Sequence, residues 1–390
     1  GGPRRAMAPR GLLAVVALAA QLPARHVGAS TPATEDMVYW STEAGGIYRV
    51  RPDSTGMETV RDDLGAGKPR AMVVDHDGCE LYWSEQDANR IRKTPLGDAA
   101  AQPETVYTFT DTDHIPHNWA TALVKEPGSD LLYWAYLHNS GIYSLDVATP
   151  GAAPQRLAGE EVWDPDWDGE NQYRFGLSLD SSVSPAVFYT TEFDWGTLCR
   201  KELPDGDAEE WLDSYDYDDG SYISGPKSVA VDGAARLAFY ADQDYNTIAK
   251  VSLDDKTNVV VLISGLTLPR ALAVDPGRQV FYFVESSSGK EKLFQYAYDG
   301  TKNWEISLPA DSSRNHTRTL RDPPGAVAVF DASARSATCL PDPTTTTTAT
   351  STTAAVSTTT FSTTTSSSTT TLSTATVSTT TSTTTPTTSS

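Results

Sequence analysis

The chain has 390 residues and a formal net charge of −21, because 51 acidic residues outnumber 30 lysines and arginines. A surface this acidic repels phosphate backbones and anionic lipid headgroups, so we expect neither nucleic-acid binding nor polybasic membrane attachment. Three cysteines are too few for a small disulfide-held domain, and the fold has to depend on a hydrophobic core.

The N-terminal segment, residues 1–29, has the pattern of a secretory signal peptide. Arg4, Arg5 and Arg10 precede the apolar run 11–22, and small residues follow up to Ala29. We expect translation to start at Met7 and cleavage to occur near Ala29; a buried N-terminal helix is the alternative. No other stretch approaches the about 20 apolar residues of a membrane-spanning helix, so we expect a secreted or cell-surface protein without a transmembrane segment.

Residues 37–340 contain an internal repeat marked by aromatic pairs. The first members of successive pairs are 43, 51, 55, 51 and 42 residues apart. An acidic residue follows most pairs, and an apolar run ending in Asp75, Asp180, Asp232 or Asp275 precedes four of them. The pairs are Tyr39-Trp40, Tyr82-Trp83, Tyr133-Trp134, Phe188-Tyr189, Phe239-Tyr240 and Phe281-Tyr282.

Each unit also has a third run that opens with an aliphatic residue and a short fourth run of β-branched or aromatic residues. Six units of four short strands predict an all-β, six-bladed β-propeller. Each blade would have two apolar faces that only its neighbours cover, so the ring has to close. The first pair lacks a preceding inner strand, and residues 326–329, followed by Asp331, form an orphan inner strand. We expect this last strand to complete the first blade.

This pattern resembles the low-density lipoprotein receptor class B repeats, the YWTD propellers. Residues 68–75 and 81–85 are close to the family pattern, and residues 268–275 repeat its first half. The resemblance implies that the aromatic pairs and the following acids brace neighbouring blades, which is a structural role. It also implies a protein ligand on one face of the propeller. The family's Cys-rich flanking modules are missing, so lipoprotein uptake is not expected.

The longest insertions are expected on one face of the propeller. In this topology, the loop from strand four of one blade to strand one of the next lies on the same face as the loop between strands two and three within a blade. These insertions, 111–119, 160–170, 192–195 and 211–220, are rich in acids and aromatics. They predict a docking surface for a basic or partly apolar protein segment. The alternative is solubilising loops whose aromatics pack on the blade below. The candidate ligand-binding residues are Trp119, Trp163, Asp164, Asp166, Trp167, Asp168, Tyr173, Glu192, Asp194, Trp195 and Tyr217.

No metal or other cofactor is predicted. Asp164, Asp166 and Asp168 match the first half of an EF-hand loop, but Phe175 stands where its last ligand would be. His114 and His117 have no third zinc ligand near them in sequence.

The chain has no nucleophile elbow, P-loop, dinucleotide fingerprint or metalloprotease motif, so we do not expect an enzyme. Six-bladed propellers also include calcium-dependent lactonases, which hold a metal in the central tunnel. Four of the positions that precede the inner strands are cationic here: Arg70, Arg174, Lys227 and Arg270. Cations at the tunnel mouth would repel a divalent metal, which favours a binding module over a hydrolase. They could instead pair with motif acids or with acidic groups on a ligand. A cell-surface or matrix spacer is a third interpretation.

The remaining features fit an extracellular chain. Of the 47 residues in 344–390, 38 are Ser or Thr, which predicts a disordered, mucin-like tail. Asn315 begins a glycosylation sequon. One disulfide is possible, and Cys79 with Cys339 would join adjacent blades near the seam. We therefore expect a monomeric, extracellular glycoprotein in which a six-bladed propeller binds a protein ligand whose identity the sequence does not give.

Overall fold

The computed structural model describes residues 35–42, 45–62, 64, 67–96, 98, 101–109, 120–136, 141–158, 174–193, 195–203, 208–213, 223–287, 290–307 and 326–331. The N-terminal segment, the Ser/Thr-rich tail and Asn315 lie outside these ranges. Every regular element within them is a β-strand. These ranges therefore contain no helix that is long and apolar enough to cross a membrane. In chain order the strands are β1 (Met37–Ser41), β2 (Ile47–Val50), β3 (Glu58–Arg61), β4 (Pro69–Asp75), β5 (Glu80–Glu85), β6 (Arg90–Pro95), β7 (Glu104–Thr108), β8 (Ala120–Lys125), β9 (Leu131–Tyr136), β10 (Ile142–Asp146), β11 (Gln155–Ala158), β12 (Arg174–Asp180), β13 (Val187–Glu192), β14 (Thr197–Glu202), β15 (Ala208–Leu212), β16 (Pro226–Asp232), β17 (Leu237–Asp242), β18 (Thr247–Ser252), β19 (Val259–Ile263), β20 (Pro269–Asp275), β21 (Val280–Ser287), β22 (Lys290–Ala297), β23 (Lys302–Ser307) and β24 (Val327–Phe330).

The strands form six antiparallel sheets of four strands each, which are the blades of a six-bladed propeller. Blade 1 has the order β24-β1-β2-β3, and blades 2 to 6 each use four consecutive strands, starting at β4, β8, β12, β16 and β20. The first strand of each blade is innermost, and the inner strands of neighbouring blades contact each other around the ring. The fold predicted from the repeat is therefore confirmed.

The last strand closes the ring, as the orphan inner strand predicts. β24 pairs with β1, with Ala328 opposite Tyr39 and Val329 opposite Val38. The Ser41 side chain strengthens this closure, because its Oγ accepts from the Ala326 N–H at 2.8 Å and donates to the Pro69 carbonyl of blade 2 at 3.3 Å. The two ends of the described propeller are thus joined within one sheet.

The twelve predicted aromatic residues are all buried, none of them more than 4% exposed. Side chains alternate along a strand, so the two positions of a pair face opposite neighbours. In most blades, the residue equivalent to Tyr82 of blade 2 packs against the following blade. It shares a core cluster with the residue of that following blade that is equivalent to Trp83. The pairs seen in this arrangement are Tyr39 with Trp83, Tyr82 with Trp134, Tyr189 with Tyr240, Phe239 with Phe283 and Tyr282 with Trp40.

In blades 4 and 6 the aromatic pair is shifted by one residue relative to the pair of blade 2. The second aromatic of the pair, and not the first, occupies the position that Tyr82 has in blade 2. Tyr189 lies opposite Ser178, two residues before Asp180, just as Tyr82 lies opposite Val73, two residues before Asp75. Tyr282 occupies the same position in blade 6. Blade 4 therefore has Thr190 where blade 2 has Trp83. Its Phe188, one position earlier than Tyr189, covers Tyr133 instead, with ring centroids 4.9 Å apart.

The aspartates that end the inner strands stabilise both a turn and a blade interface. Asp180 accepts the Ser182 N–H on Oδ1 at 3.0 Å, and its Oδ2 accepts from Arg236 of blade 5 at 2.6 Å. Asp232 uses Oδ1 for the Ala235 N–H and Oδ2 for the Tyr298 hydroxyl of blade 6, both at 3.0 Å. One carboxylate thus fixes the hairpin of its own blade and holds the next blade.

Two of the three cysteines lie in the described part of the chain. Cys79 is disulfide-bonded, whereas Cys199 is buried in blade 4 and is not part of a disulfide. Cys339, the partner predicted for Cys79, is outside the described residues.

His76 lies at the seam between blades 1 and 2, next to the closing strand. Its ring stacks on Phe330 with a centroid distance of 5.5 Å, and its Nε2 accepts the Asp331 N–H at 3.2 Å. Burial lowers the pKa of His76, although the carboxylates of Asp331, Asp75 and Asp77 oppose that shift. Closure of the seam therefore favours the neutral form of His76.

This arrangement predicts that acidification weakens the propeller through His76. Because its pKa is lower in the folded than in the unfolded chain, the unfolded chain binds the extra proton first. The contribution of His76 is fully present above its unfolded pKa of about 6.5 and is lost as the pH falls below that value. We expect the free energy of unfolding of the wild type to decrease from pH 7.5 to pH 5.5 more steeply than that of His76→Gln, in denaturant titrations of both proteins. Parallel pH profiles would contradict this assignment.

Candidate functional site

The antiparallel topology divides the propeller ends into two faces. The entry face, as we name it, carries the starts of the inner strands, at Pro69, Pro226 and Pro269, and the ends of the second strands, at Glu85 and Asp242. The connections from one blade to the next and the turns between strands two and three lie on this face. The opposite face, with the strand-ending aspartates, we name the tip face. Segments 159–173 and 214–222, which carry most of the predicted ligand residues, connect strands that end on the entry face.

Two predicted ligand-binding residues lie within the described residues. Glu192 ends β13 and is only 1% exposed, so its carboxylate is shielded from solvent at the position that Glu85 has in blade 2. Trp195 lies in the β13–β14 turn and is partly exposed, and its carbonyl accepts from the Thr197 hydroxyl at 3.3 Å. The others lie outside the described residues: Trp119, Trp163, Asp164, Asp166, Trp167, Asp168, Tyr173, Asp194 and Tyr217.

Tyr245, an aromatic residue on the entry face, is not among the predicted ligand-binding residues. Tyr245 lies in the β17–β18 turn of blade 5 and is 46% exposed. It stands three residues after Asp242, just as Trp195 stands three residues after Glu192 in the neighbouring blade. This shared repeat position was the signal that could have identified it. Two partly exposed aromatics thus project from equivalent turns of blades 4 and 5.

The acids that end the second strands hold the entry-face turns in place. The buried Asp242 carboxylate accepts the N–H groups of Asp244 and Tyr245 at 3.0 and 2.9 Å, and that of Ser224 at 2.7 Å. Burial raises the pKa of Asp242, and the backbone donors act in the opposite direction. Glu285 likewise accepts the Thr267 N–H at 2.6 Å. These carboxylates fix the turn after the second strand and the segment that leads into the inner strand.

Glu85 fulfils the same role through side chains. Its fully buried carboxylate accepts from Trp83 Nε1 at 3.1 Å and from Arg90 Nε at 2.6 Å, and lies 3.3 Å from Arg92 Nη1. Arg92 in turn donates to the Pro103 carbonyl at 2.9 Å. The acid thus connects the second, third and fourth strands of blade 2 at the entry face.

The inner strands enclose a central channel with a cavity of about 420 Å³. Three cations that precede or open the inner strands line it at the entry face, namely Arg70, Lys227 and Arg270. The Lys227 ammonium lies 3.3 Å from the ring centroids of both Phe175 and Phe193, which is a cation–π contact with each ring. Arg70 donates from Nε to the Gln86 side-chain oxygen. The side chain of Arg174 lies outside the described residues.

Within the described ranges, no group of three or more histidine, cysteine, aspartate or glutamate side chains is arranged to hold a metal ion. Three acids of the entry face, Asp242, Glu285 and Glu85, are engaged by backbone N–H groups or by arginines. The described part of this face is therefore suited to packing and hydrogen bonding.

Known proteins share the fold of this chain. No known protein-family profile matches the sequence. The propeller is similar to a chain in the crystal structure of a nidogen/laminin complex, with a TM-score of 0.57 and 10% identity over 75% of this chain and 98% of that one. It is also similar to TolB from Acinetobacter baumannii, with a TM-score of 0.52 and 11% identity over 77% of this chain and 67% of that one. At these identities the likenesses establish the β-propeller fold, and membership of the YWTD family stays a prediction from the repeat.

The contacts of Glu85 predict a structural rather than a ligand-binding role for the motif acids. Glu85→Ala leaves two partly buried guanidinium groups without their carboxylate, and we expect a loss of about 3 kcal/mol in the free energy of unfolding. The matched control Glu305→Ala, which breaks exposed ion pairs with Lys292 and Lys302, should cost less than about 1 kcal/mol. Denaturant titration measures both changes, and similar losses in the two variants would contradict the bracing role.

Proposed function

We propose that this chain is an extracellular protein-binding module, a receptor-type propeller that docks a protein ligand on its entry face. The observation that carries the proposal is the pair of partly exposed aromatics, Trp195 and Tyr245, at equivalent turns of adjacent blades. The predicted acidic and aromatic insertions join strands that end on the same face. Aromatic side chains give a large contact area for little lost rotamer entropy, which is why they dominate binding hot spots.

The turns that carry these aromatics are suited to rigid docking. The backbone of Tyr245 is anchored by the buried Asp242, and the Phe193 ring next to Glu192 packs on Lys227. A surface that is already ordered before binding loses less entropy when the ligand arrives. The net charge of −21 would steer a basic ligand toward the propeller.

Three further observations support the extracellular setting. The N-terminal residues have the pattern of a signal peptide, and the disulfide at Cys79 requires an oxidising compartment to persist. The similar propeller belongs to a crystallised nidogen/laminin complex, and this likeness is consistent with the same setting. Together they favour a secreted or cell-surface chain.

The proposal does not include catalysis. A lactonase-type propeller needs a divalent metal in its channel, and the described entry to this channel is lined by Arg70, Lys227 and Arg270. Positive charges that line this part of the channel repel a divalent cation and so disfavour its binding there.

The docking proposal can be tested with two entry-face variants of the full chain. One carries Trp195→Ala and Tyr245→Ala, and the other carries Trp163→Ala and Trp167→Ala. Partners would be cross-linked from a cell-surface extract, identified by mass spectrometry, purified and measured directly by surface plasmon resonance. We expect a loss of about thirtyfold in affinity in at least the first variant, because hot-spot aromatics contribute about 2 kcal/mol or more.

The matched control is Met57→Ala, which removes a 50% exposed apolar side chain from the tip face. This control should bind as the wild type does. Equal binding by the folded entry-face variants would place the ligand elsewhere, and the absence of any partner that binds the purified chain would overturn the docking function.

A further inference from the structure

The outer strand of blade 5, β19, differs from the outer strands of the other blades because it carries no charge. Each of β3, β7, β11, β15 and β23 contains at least one charged residue, whereas β19 reads Val-Val-Val-Leu-Ile. The stretch without a charge or a proline extends over residues 257–268. Charges and prolines are common means by which proteins protect an edge strand from pairing with another chain. This edge strand therefore lacks the usual protection.

The middle of β19 is apolar and open to solvent. Val260 and Val261 are 40% and 42% exposed. Val259 packs on the core cluster between blades 4 and 5, and Leu262 and Ile263 pack on the cluster between blades 5 and 6. Neither cluster includes Val260 or Val261. These two valines are thus available for contact outside the propeller.

The backbone edge of β19 is open as well. Within the described part of the chain, residues 259–263 form backbone hydrogen bonds with β18 and with no other strand or turn. Alternate residues of such an edge strand direct their N–H and C=O groups away from the sheet. A side chain added at Gly265, just after the strand, would meet no atom within 4 Å. Gly300 of blade 6 lies near the Leu262 carbonyl and leaves the two exposed valines uncovered. The edge can therefore accept a further strand.

The sequence of this edge is complementary to itself. An antiparallel pairing of β19 with β19 of a second copy, centred on Val261, places Val260 opposite Leu262 and Val259 opposite Ile263. Further out, the charged residues 254–256 lie opposite the uncharged residues 266–268, so no charge faces another.

Other outer strands do not offer this self-complementarity. The same pairing of β15 about its central residue would place Glu210 opposite Glu210. Like charges that lie directly opposite each other destabilise a strand pair. For a chain with a net charge of −21, the neutral edge of blade 5 suits the approach of a second copy.

We propose that two copies of this chain form a dimer in which β19 pairs antiparallel with β19 of the second copy, about a two-fold axis at Val261. The interface uses the same edge of both copies, so it closes at the dimer and does not continue into a fibre. Two five-residue strands bury less area than the about 1,600 Å² of a standard interface, so the dimer is weak and dilute protein is monomeric. This surface is separate from the docking surface proposed above and does not depend on it.

The proposal can be tested by sedimentation equilibrium of the full chain from about 1 µM to about 500 µM. We expect a monomer–dimer equilibrium for the wild type. Val261→Lys places two ammonium groups opposite each other and should weaken the association at least about tenfold. The matched control Met57→Lys adds the same charge at a 50% exposed apolar position on the tip face and should associate as the wild type does. Because both positions are exposed, both variants should retain the melting temperature.

A charge-swap experiment tests the two-fold axis itself. Val261→Glu alone should associate as weakly as Val261→Lys, because two carboxylates then face each other. An equimolar mixture of the two variants should recover the dimer, since a lysine then lies opposite a glutamate. Recovery in the mixture requires that residue 261 of one copy meets residue 261 of the other.

Three sedimentation results would overturn the proposal: a wild type that stays monomeric over the whole range, a folded Val261→Lys that associates as the wild type does, or a mixture that does not recover the dimer. Hydrogen exchange identifies the alternative occupant. The outward-facing amides of β19 should become protected as the concentration rises. Protection that is already complete in dilute protein would overturn the proposal in favour of a segment of the same chain.

Discussion

Mutual coverage of the blades is the constraint on which the whole structure depends. A four-stranded sheet with two apolar faces has no core of its own, so each blade is stable only between two neighbours. The aromatic step from one blade to the next, such as Tyr82 onto Trp134, is part of this contact. One missing aromatic therefore has to be replaced locally, and Phe188 does so where Thr190 stands in the second position. For the same reason β24 has to return to blade 1, because an open ring would expose two apolar faces.

The strong negative charge is compatible with this closure because many of the acids lie where backbone N–H groups or arginines need a hydrogen-bond acceptor. Those that end the inner strands accept turn N–H groups and hold the next blade, as Asp180 does with Arg236. Those that end the second strands accept backbone or arginine donors at the entry face, as Asp242 and Glu85 do. Carboxylates used in this way are hydrogen-bonded in the folded state, which offsets the cost of burying them.

The sequence predicted the six blades, the closing strand and the burial of the twelve aromatics, because all three follow from a periodic pattern in the chain. It did not predict the register of blades 4 and 6, since the aromatic pairs were aligned by residue type and not by distance from the following acid. Glu192, one of the predicted ligand-binding residues, has the same spacing from Tyr189 as Glu85 has from Tyr82, so it also occupies the position of a motif acid. The aromatic cage around Lys227 could not be predicted, because Phe175 and Phe193 lie far from Lys227 in the chain and meet it only when blades 4 and 5 pack together.

The repeat separates positions that hold the ring from positions that are open to variation. In blade 5 the acid that ends the second strand, Asp242, fixes the following turn through backbone N–H groups, so the identity of the side chain three residues later has little influence on closure. That position holds Ala88 in blade 2, Trp195 in blade 4 and Tyr245 in blade 5. The surface of the entry face can therefore change by single substitutions at this position that leave the interfaces between blades intact.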